Sequence, residues 1–181
     1  MHLSEHFTTE ELLYSITAIK YGVKNEATPQ QLKVLKHTCI YLLEPLRKLL
    51  NNNFINTTYN KKTVKRVYIS ITSGLRTKIV NSLLKKEGYK PSDTSQHCTG
   101  EAVDIQVVLV FKDDLEFVLP YTQTYSLIKL WVKMGVLSVD QCIQEKQGSS
   151  CWVHVSHSAW GKSRDRKQFL KFDGKNYIND F

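Results

Sequence analysis

The stretch Ser95-Gln-His-Cys-Thr-Gly-Glu-Ala-Val-Asp-Ile-Gln-Val-Val-Leu-Val-Phe111 joins a polar approach to an apolar, β-branched run. From Ala102 to Phe111 it reads as a central strand. One residue breaks the run, Asp104, between Val103 and Ile105. An ionisable side chain inside such a strand is costly unless it is paired or bound to a cation. His97 stands at the mouth of the strand, and His154 lies in a second apolar stretch, Trp152-Val-His-Val-Ser156. Two histidines and one carboxylate on rigid strands make a three-ligand set, the arrangement of a catalytic zinc whose fourth position is left to water. A core histidine hydrogen-bonded to a buried aspartate accounts for the same residues. Spacing alone does not separate the two.

The flanking sequence supplies the rest of an α+β domain. Upstream, Thr8-Thr-Glu-Glu11 is a capping box that starts a short helix, with Phe7 as its staple. Thr28, Pro29 and Gln31 open a second helix, and Leu32, Leu35, Cys39, Leu42, Leu46 and Leu49 continue it at helical spacing to about Leu50. Pro45 should kink it or end it early, and Asn51-Asn-Asn53 stops it. Val67, Ile69 and Ile71 alternate with polar residues as a half-buried strand, which Ser73-Gly74 breaks. A short helix follows from Thr77 to Lys86, then a loop from Lys90 to Gln96. Beyond the central strand come a turn at Lys112-Asp-Asp114, an edge strand at Leu115 to Leu119, and a helix from Pro120 through Met134 capped by Gly135. Cys142 to Glu145 is a short strand. Phe169 to Phe172 and Asn176 to Ile178 flank Asp173-Gly174, whose residue types suit a type I′ hairpin turn. The expectation is one domain over 1–181: a helical part over about 1–60, an antiparallel sheet over about 64–156 with helices on one side, and a terminal hairpin over about 167–179.

Composition narrows the class. The 181 residues are 41% hydrophobic and 23% charged, which excludes a disordered or collagen-like chain. No apolar run approaches the roughly 18 residues of a membrane helix, and the first residues lack the basic and apolar regions of a signal peptide. The four cysteines form no Cys-x-x-Cys pair; Cys142 and Cys151 read as core thiols rather than a disulfide. The net charge of +8, with a pI near 9.3, suits contact with a polyanion, such as an anionic wall polymer. The basic residues are dispersed, densest at Lys61 to Arg66 and Lys162 to Lys171, without the aromatic interleaving that would argue for nucleic acid.

Ser95-x-His97-x-x-Gly100-x-Ala102-x-Asp104, preceded by Ser73-Gly-Leu-Arg76 and followed by Trp152-Val-His154-Val-Ser156, resembles the D-alanyl-D-alanine carboxypeptidase family of zinc peptidases. That family includes the vancomycin-resistance dipeptidases and phage endolysins, with the hedgehog signalling domain as a distant member. The likeness extends over about Leu3 to Ser156; Leu3-Ser-Glu-His-Phe-Thr8, Leu43-Glu-Pro45 and Asp140-Gln141 resemble its small phage and bacterial branch. The resemblance implies a hedgehog-like α+β fold and one Zn²⁺ held by His97, Asp104 and His154. It implies that Arg76 stabilises the oxyanion that develops on the scissile carbonyl, and that Ser95 hydrogen-bonds substrate. Many relatives carry an acid three residues before the last ligand, where this chain has Cys151. The hedgehog domain instead has one at the end of a comparable strand, which points to Glu145 as the general base, with Asp140 next in line. His157 falls on the opposite strand face from His154. The implied activity is hydrolysis of peptidoglycan stem peptides, at D-Ala–D-Ala or L-Ala–D-Glu, by a monomeric phage or prophage enzyme made in the cytoplasm and acting at the wall once released. A non-catalytic zinc-binding domain of the same fold is the alternative.

Overall fold

The computed structural model describes residues 1–172 and 174–180. The capping boxes at Thr8 and Thr28 both form, opening α1 (Thr9–Leu13) and α3 (Pro29–Thr38). Between them lies α2 (Ile16–Lys20), capped by the Ser15 hydroxyl. The long helix neither ends nor breaks at Pro45. It passes through a π turn at Cys39–Leu43 and continues as α4 (Glu44–Phe54). A proline ring collides with the carbonyl four residues back. Here the preceding turn widens, and the Glu44 amide donates to Cys39, five residues back. Leu46, Leu50 and Phe54 stay buried along one line, so the apolar stripe carries the helix past the three asparagines.

The strands are β1 (Thr58–Tyr59), β2 (Lys62–Ser73), β3 (Ala102–Phe111), β4 (Glu116–Val118), β5 (Gln141–Gln147), β6 (Ser150–Ser156), β7 (Gln168–Phe172) and β8 (Tyr177–Asn179). They form a sheet in the order β1-β2-β3-β6-β5-β7-β8, with β4 pairing the far half of β3. The sheet is mixed rather than wholly antiparallel, because β7 runs parallel to β5. Since β6 occupies the space between β3 and β5, β7 can join only at the outer edge of β5. The connection returns to the start of β5, where the Lys167 amide donates to Val139 and the Gln168 amide to Asp140. The β7–β8 hairpin forms as expected from its flanks; Asp173, half of the Asp-Gly turn, lies outside the described residues.

Alternation on β3 divides the molecule. Val103, Ile105, Val107 and Leu109 join Leu35, Leu42, Leu46 and the inner side of α6 (Tyr121–Lys133) in one buried core. Each fully buried Leu or Ile side chain contributes about 1.5–3 kcal/mol relative to an exposed one. Asp104 points the other way, into a cleft walled by α2 and by α5 (Lys78–Lys86). The long helices thus cover one face, and two short ones flank the other. Among the described residues, no helix is long and apolar enough to cross a membrane. All four cysteines are free; Cys142 sits opposite Val155 and Cys151 opposite Lys146, so strand register keeps them apart.

Candidate metal centre

Strand register assembles the cleft floor. Asp104 lies directly opposite His154, and His154 opposite Ile143, so all three share a face. Two residues along, Glu145 lies opposite Trp152 on that same face. His97 arrives from a 3-10 turn, Gln96–Cys98, whose first residues are capped weakly by the Ser95 hydroxyl. The Arg76 amide donates to the His97 carbonyl at 3.1 Å, which ties the turn to the segment after β2. All of these residues, Ser95 included, line one cleft of about 1210 Å³.

His97 Nε2, Asp104 Oδ1 and His154 Nδ1 converge: His97 lies 3.2 Å from Asp104 and 3.1 Å from His154, and His154 lies 3.1 Å from Asp104. They form the only His/Cys/Asp/Glu group among the described residues with metal-ligand geometry, and all three side chains are buried. Ligand bonds of about 2.0–2.1 Å in a tetrahedral zinc site place neighbouring donors roughly 3.3 Å apart, so the spacing fits. Donor chemistry agrees. His97 Nδ1 donates to the Gly74 carbonyl at 2.8 Å, which turns the Nε2 lone pair toward the cluster. Burial, reinforced by the Arg76 charge, lowers the His97 pKa to about 4, so the ring is neutral. Burial alone would raise the Asp104 carboxyl, but the charges and hydrogen bonds around it, the Arg76 guanidinium among them, hold it well below the usual carboxylate range. Lone pairs facing one another in a buried spot call for a cation. His154 Nε2 has no protein partner.

Arg76 is committed on one side. Its Nη2 donates to Asp104 Oδ2 at 2.6 Å and its Nε to the Ser73 hydroxyl at 3.0 Å, leaving Nη1 without an acceptor among the described residues. Among the described residues, Glu145 has no hydrogen-bonding partner. Burial first, then the Asp104 charge, raise its pKa to about 7. Asp140 is spent as a base, because it accepts from Arg166 Nε and Nη2 and from Gln96 Nε2. His157 lies outside the cleft, with Nδ1 2.8 Å from Asp165.

Several supports escaped the sequence reading. Asn25 donates to the Leu13 and Leu75 carbonyls and accepts from the Thr77 amide, pinning the segment that carries Arg76. Gly74 supplies the carbonyl behind His97, and Asp140 clamps Gln96. Asn25 lies in no motif, and the motifs that contain Gly74 and Asp140 do not show these contacts, because each is a loop residue whose partner is remote in sequence.

The family model for Peptidase M15 matches residues 5–127, which contain Arg76, Ser95, His97 and Asp104. His154 and Glu145 lie beyond the match and join the site through the β3–β6–β5 register. No curated protein and no solved structure matches the chain. The matched residues span more than half of the sequence, on an α+β fold with a donor set able to hold a metal ion, and the chain therefore belongs to the M15 family of zinc metallopeptidases.

Proposed function

We propose that the protein binds one zinc ion through His97, Asp104 and His154 and hydrolyses a peptide bond in peptidoglycan stem peptides, at D-Ala–D-Ala or L-Ala–D-Glu. The observation that carries this reading is the pairing of a convergent donor triad with an unpartnered carboxyl, Glu145, on the same face of one cleft. A zinc ion at the triad supplies Lewis-acid polarisation of the carbonyl and acidifies water. Glu145, facing the triad from the same sheet face, takes the proton from the attacking water and returns it to the leaving nitrogen. Arg76 keeps Nη1 for the carbonyl oxygen as negative charge develops there, while its Nη2 holds Asp104 ionised. The Ser95 hydroxyl, at the cleft wall, hydrogen-bonds the bound peptide. The Leu3 to Thr8, Leu43 to Pro45 and Asp140-Gln141 motifs support a place in the small phage and bacterial branch.

Digestion of purified muropeptides, followed by mass spectrometry, tests the reading. The expected products are peptides shortened by one terminal D-Ala, or stems released at L-Ala–D-Glu. Zinc-loaded protein that leaves every muropeptide intact would instead be the non-catalytic member of the fold.

A further inference from the structure

Arg166 occupies the same cleft as the triad, yet it belongs to none of the motifs above. Its side chain is 53% exposed, whereas that of its partner Asp140 is only 4% exposed. Asp140 grips it from one side: Oδ1 accepts from the Arg166 amide and from Nε, each at 2.9 Å, and Oδ2 accepts from Nη2. Asp140 is itself fixed by Gln96 Nε2 at 2.9 Å, next to the ligand His97. The guanidinium is therefore oriented before any ligand arrives, and Nη1 has no acceptor among the described residues. Gln168 lies nearby on the rim, and its Oε1 already accepts from Gln141, which leaves its amide nitrogen to donate. The acid closest in charge to Arg166 besides Asp140 is Glu101, whose oxygens are taken by the Ala159 amide and the Thr99 hydroxyl. The rim thus offers hydrogen-bond donors whose natural complement is an acceptor-only group, a carboxylate.

The register gives the spacing of the rim at Gln141 and Gln168, the latter two residues past Arg166 in sequence. Ile143, opposite His154, marks the triad's row; Glu145 lies two residues along β5 in one direction, and Gln141, paired with Gln168, two residues in the other. Two residues of strand are about 6.6–6.8 Å. A carboxylate on the residue whose nitrogen leaves has its oxygens about 4–5 Å from the attacked carbon, given ordinary bond lengths. A charged hydrogen bond of about 2.8 Å spans the remainder. Both bonds named above share this chemistry. In D-Ala–D-Ala the leaving residue carries the terminal carboxylate, and in L-Ala–D-Glu, linked onward through its side chain, it carries a free α-carboxylate.

Resting on the peptidase reading, we infer that Arg166, braced by Asp140, binds a free α-carboxylate on the leaving residue, and that the site selects peptides bearing one.

The test uses zinc-loaded Glu145→Gln protein, so that bound peptide persists, and isothermal titration with matched ligands. One pair ends in D-Ala-D-Ala as acid or amide; the other carries L-Ala-γ-D-Glu with its α-carboxyl free or amidated. The expected result is about 10-fold or tighter binding of the free acid in at least one pair, as a charged hydrogen bond supplies. Arg166→Lys and Arg166→Gln should each reduce that preference to within about 3-fold while leaving amide affinity and zinc content unchanged; the lysine keeps a positive charge beside Asp140. Equal binding of acid and amide by Arg166-bearing protein overturns the inference. So does an equal loss for acid and amide in both variants, which makes Arg166 a brace for Asp140 alone. If no peptide binds and wild-type protein cleaves none, the peptidase reading falls and the inference with it.

Discussion

Glu145 is the side chain whose chemistry is most exposed to experiment, since it is held near the triad without a hydrogen bond to any of the described residues. Glu145→Gln keeps the size and removes the proton acceptor, so muropeptide turnover should fall by about 10²–10⁴-fold. Zinc content and fold should stay unchanged, measured on the same sample; turnover near wild type rejects the assignment. The ligand variants should behave differently. His97→Ala, Asp104→Ala and His154→Ala should each lose the metal by elemental analysis, and full occupancy in any of them removes that residue from the donor set. Glu145 also leaves a signature in metal-free protein. Its native pKa of about 7 exceeds the ordinary 4.5, so between those values the folded state binds more protons than the unfolded one. Stability contributed by this group therefore falls as pH rises from about 4.5 through about 7. In apoprotein, Glu145→Gln should melt higher than wild type above pH 7, with the gap closing toward pH 4; a constant gap across that range refutes the shift.

The junction after β2 shows how backbone contacts govern side-chain placement. A Cβ on Gly74 would lie 2.2 Å from the Leu12 carbonyl oxygen, and the same residue's carbonyl accepts from His97 Nδ1. Gly74→Ala must displace backbone in α1 or β2, at a cost of about 1–3 kcal/mol or more. The melting midpoint should fall by about 2–4 °C for each kcal/mol lost. Because the His97 ring is steered by that carbonyl, zinc affinity should drop about 10–100-fold as well. An unchanged midpoint together with unchanged zinc affinity would contradict this account. Much of the element pattern was legible: the Thr8 and Thr28 caps, the alternation of β2 and the β-branched run of β3 are local signals. Pro45 announced a disturbance in the long helix, but only the buried Leu46, Leu50 and Phe54 decide that the helix widens rather than stops. The parallel β5–β7 pair had no local signal, because it follows from β6 having already filled the adjacent position.

Across the molecule, the +8 charge and the metal site would act on different partners, and salt separates the two. Exposed cations attract an anionic wall polymer over a distance set by salt, about 8 Å at physiological ionic strength and about 3 Å at 1 M. Retention on such a polymer should weaken steadily as salt rises while hydrolysis of small soluble peptides changes little; retention indifferent to salt would make the charge a solvated surface only. The site itself was partly legible. His97, Asp104 and Arg76 sit in short-range motifs, whereas the meeting of Asp104 with His154 depends on strand order, and the Asp140 grip on Arg166 on a loop that returns to the edge of β5. That meeting has a temporal side. Fifty residues separate Asp104 from His154. A ribosome adding about 5–20 residues per second needs roughly 3–10 s to cover them. Throughout that interval a nascent chain offers a metal two donors and no complete cage. The donor set is complete only once His154 has been added, and a chain that stalls in the interval has no three-donor metal site.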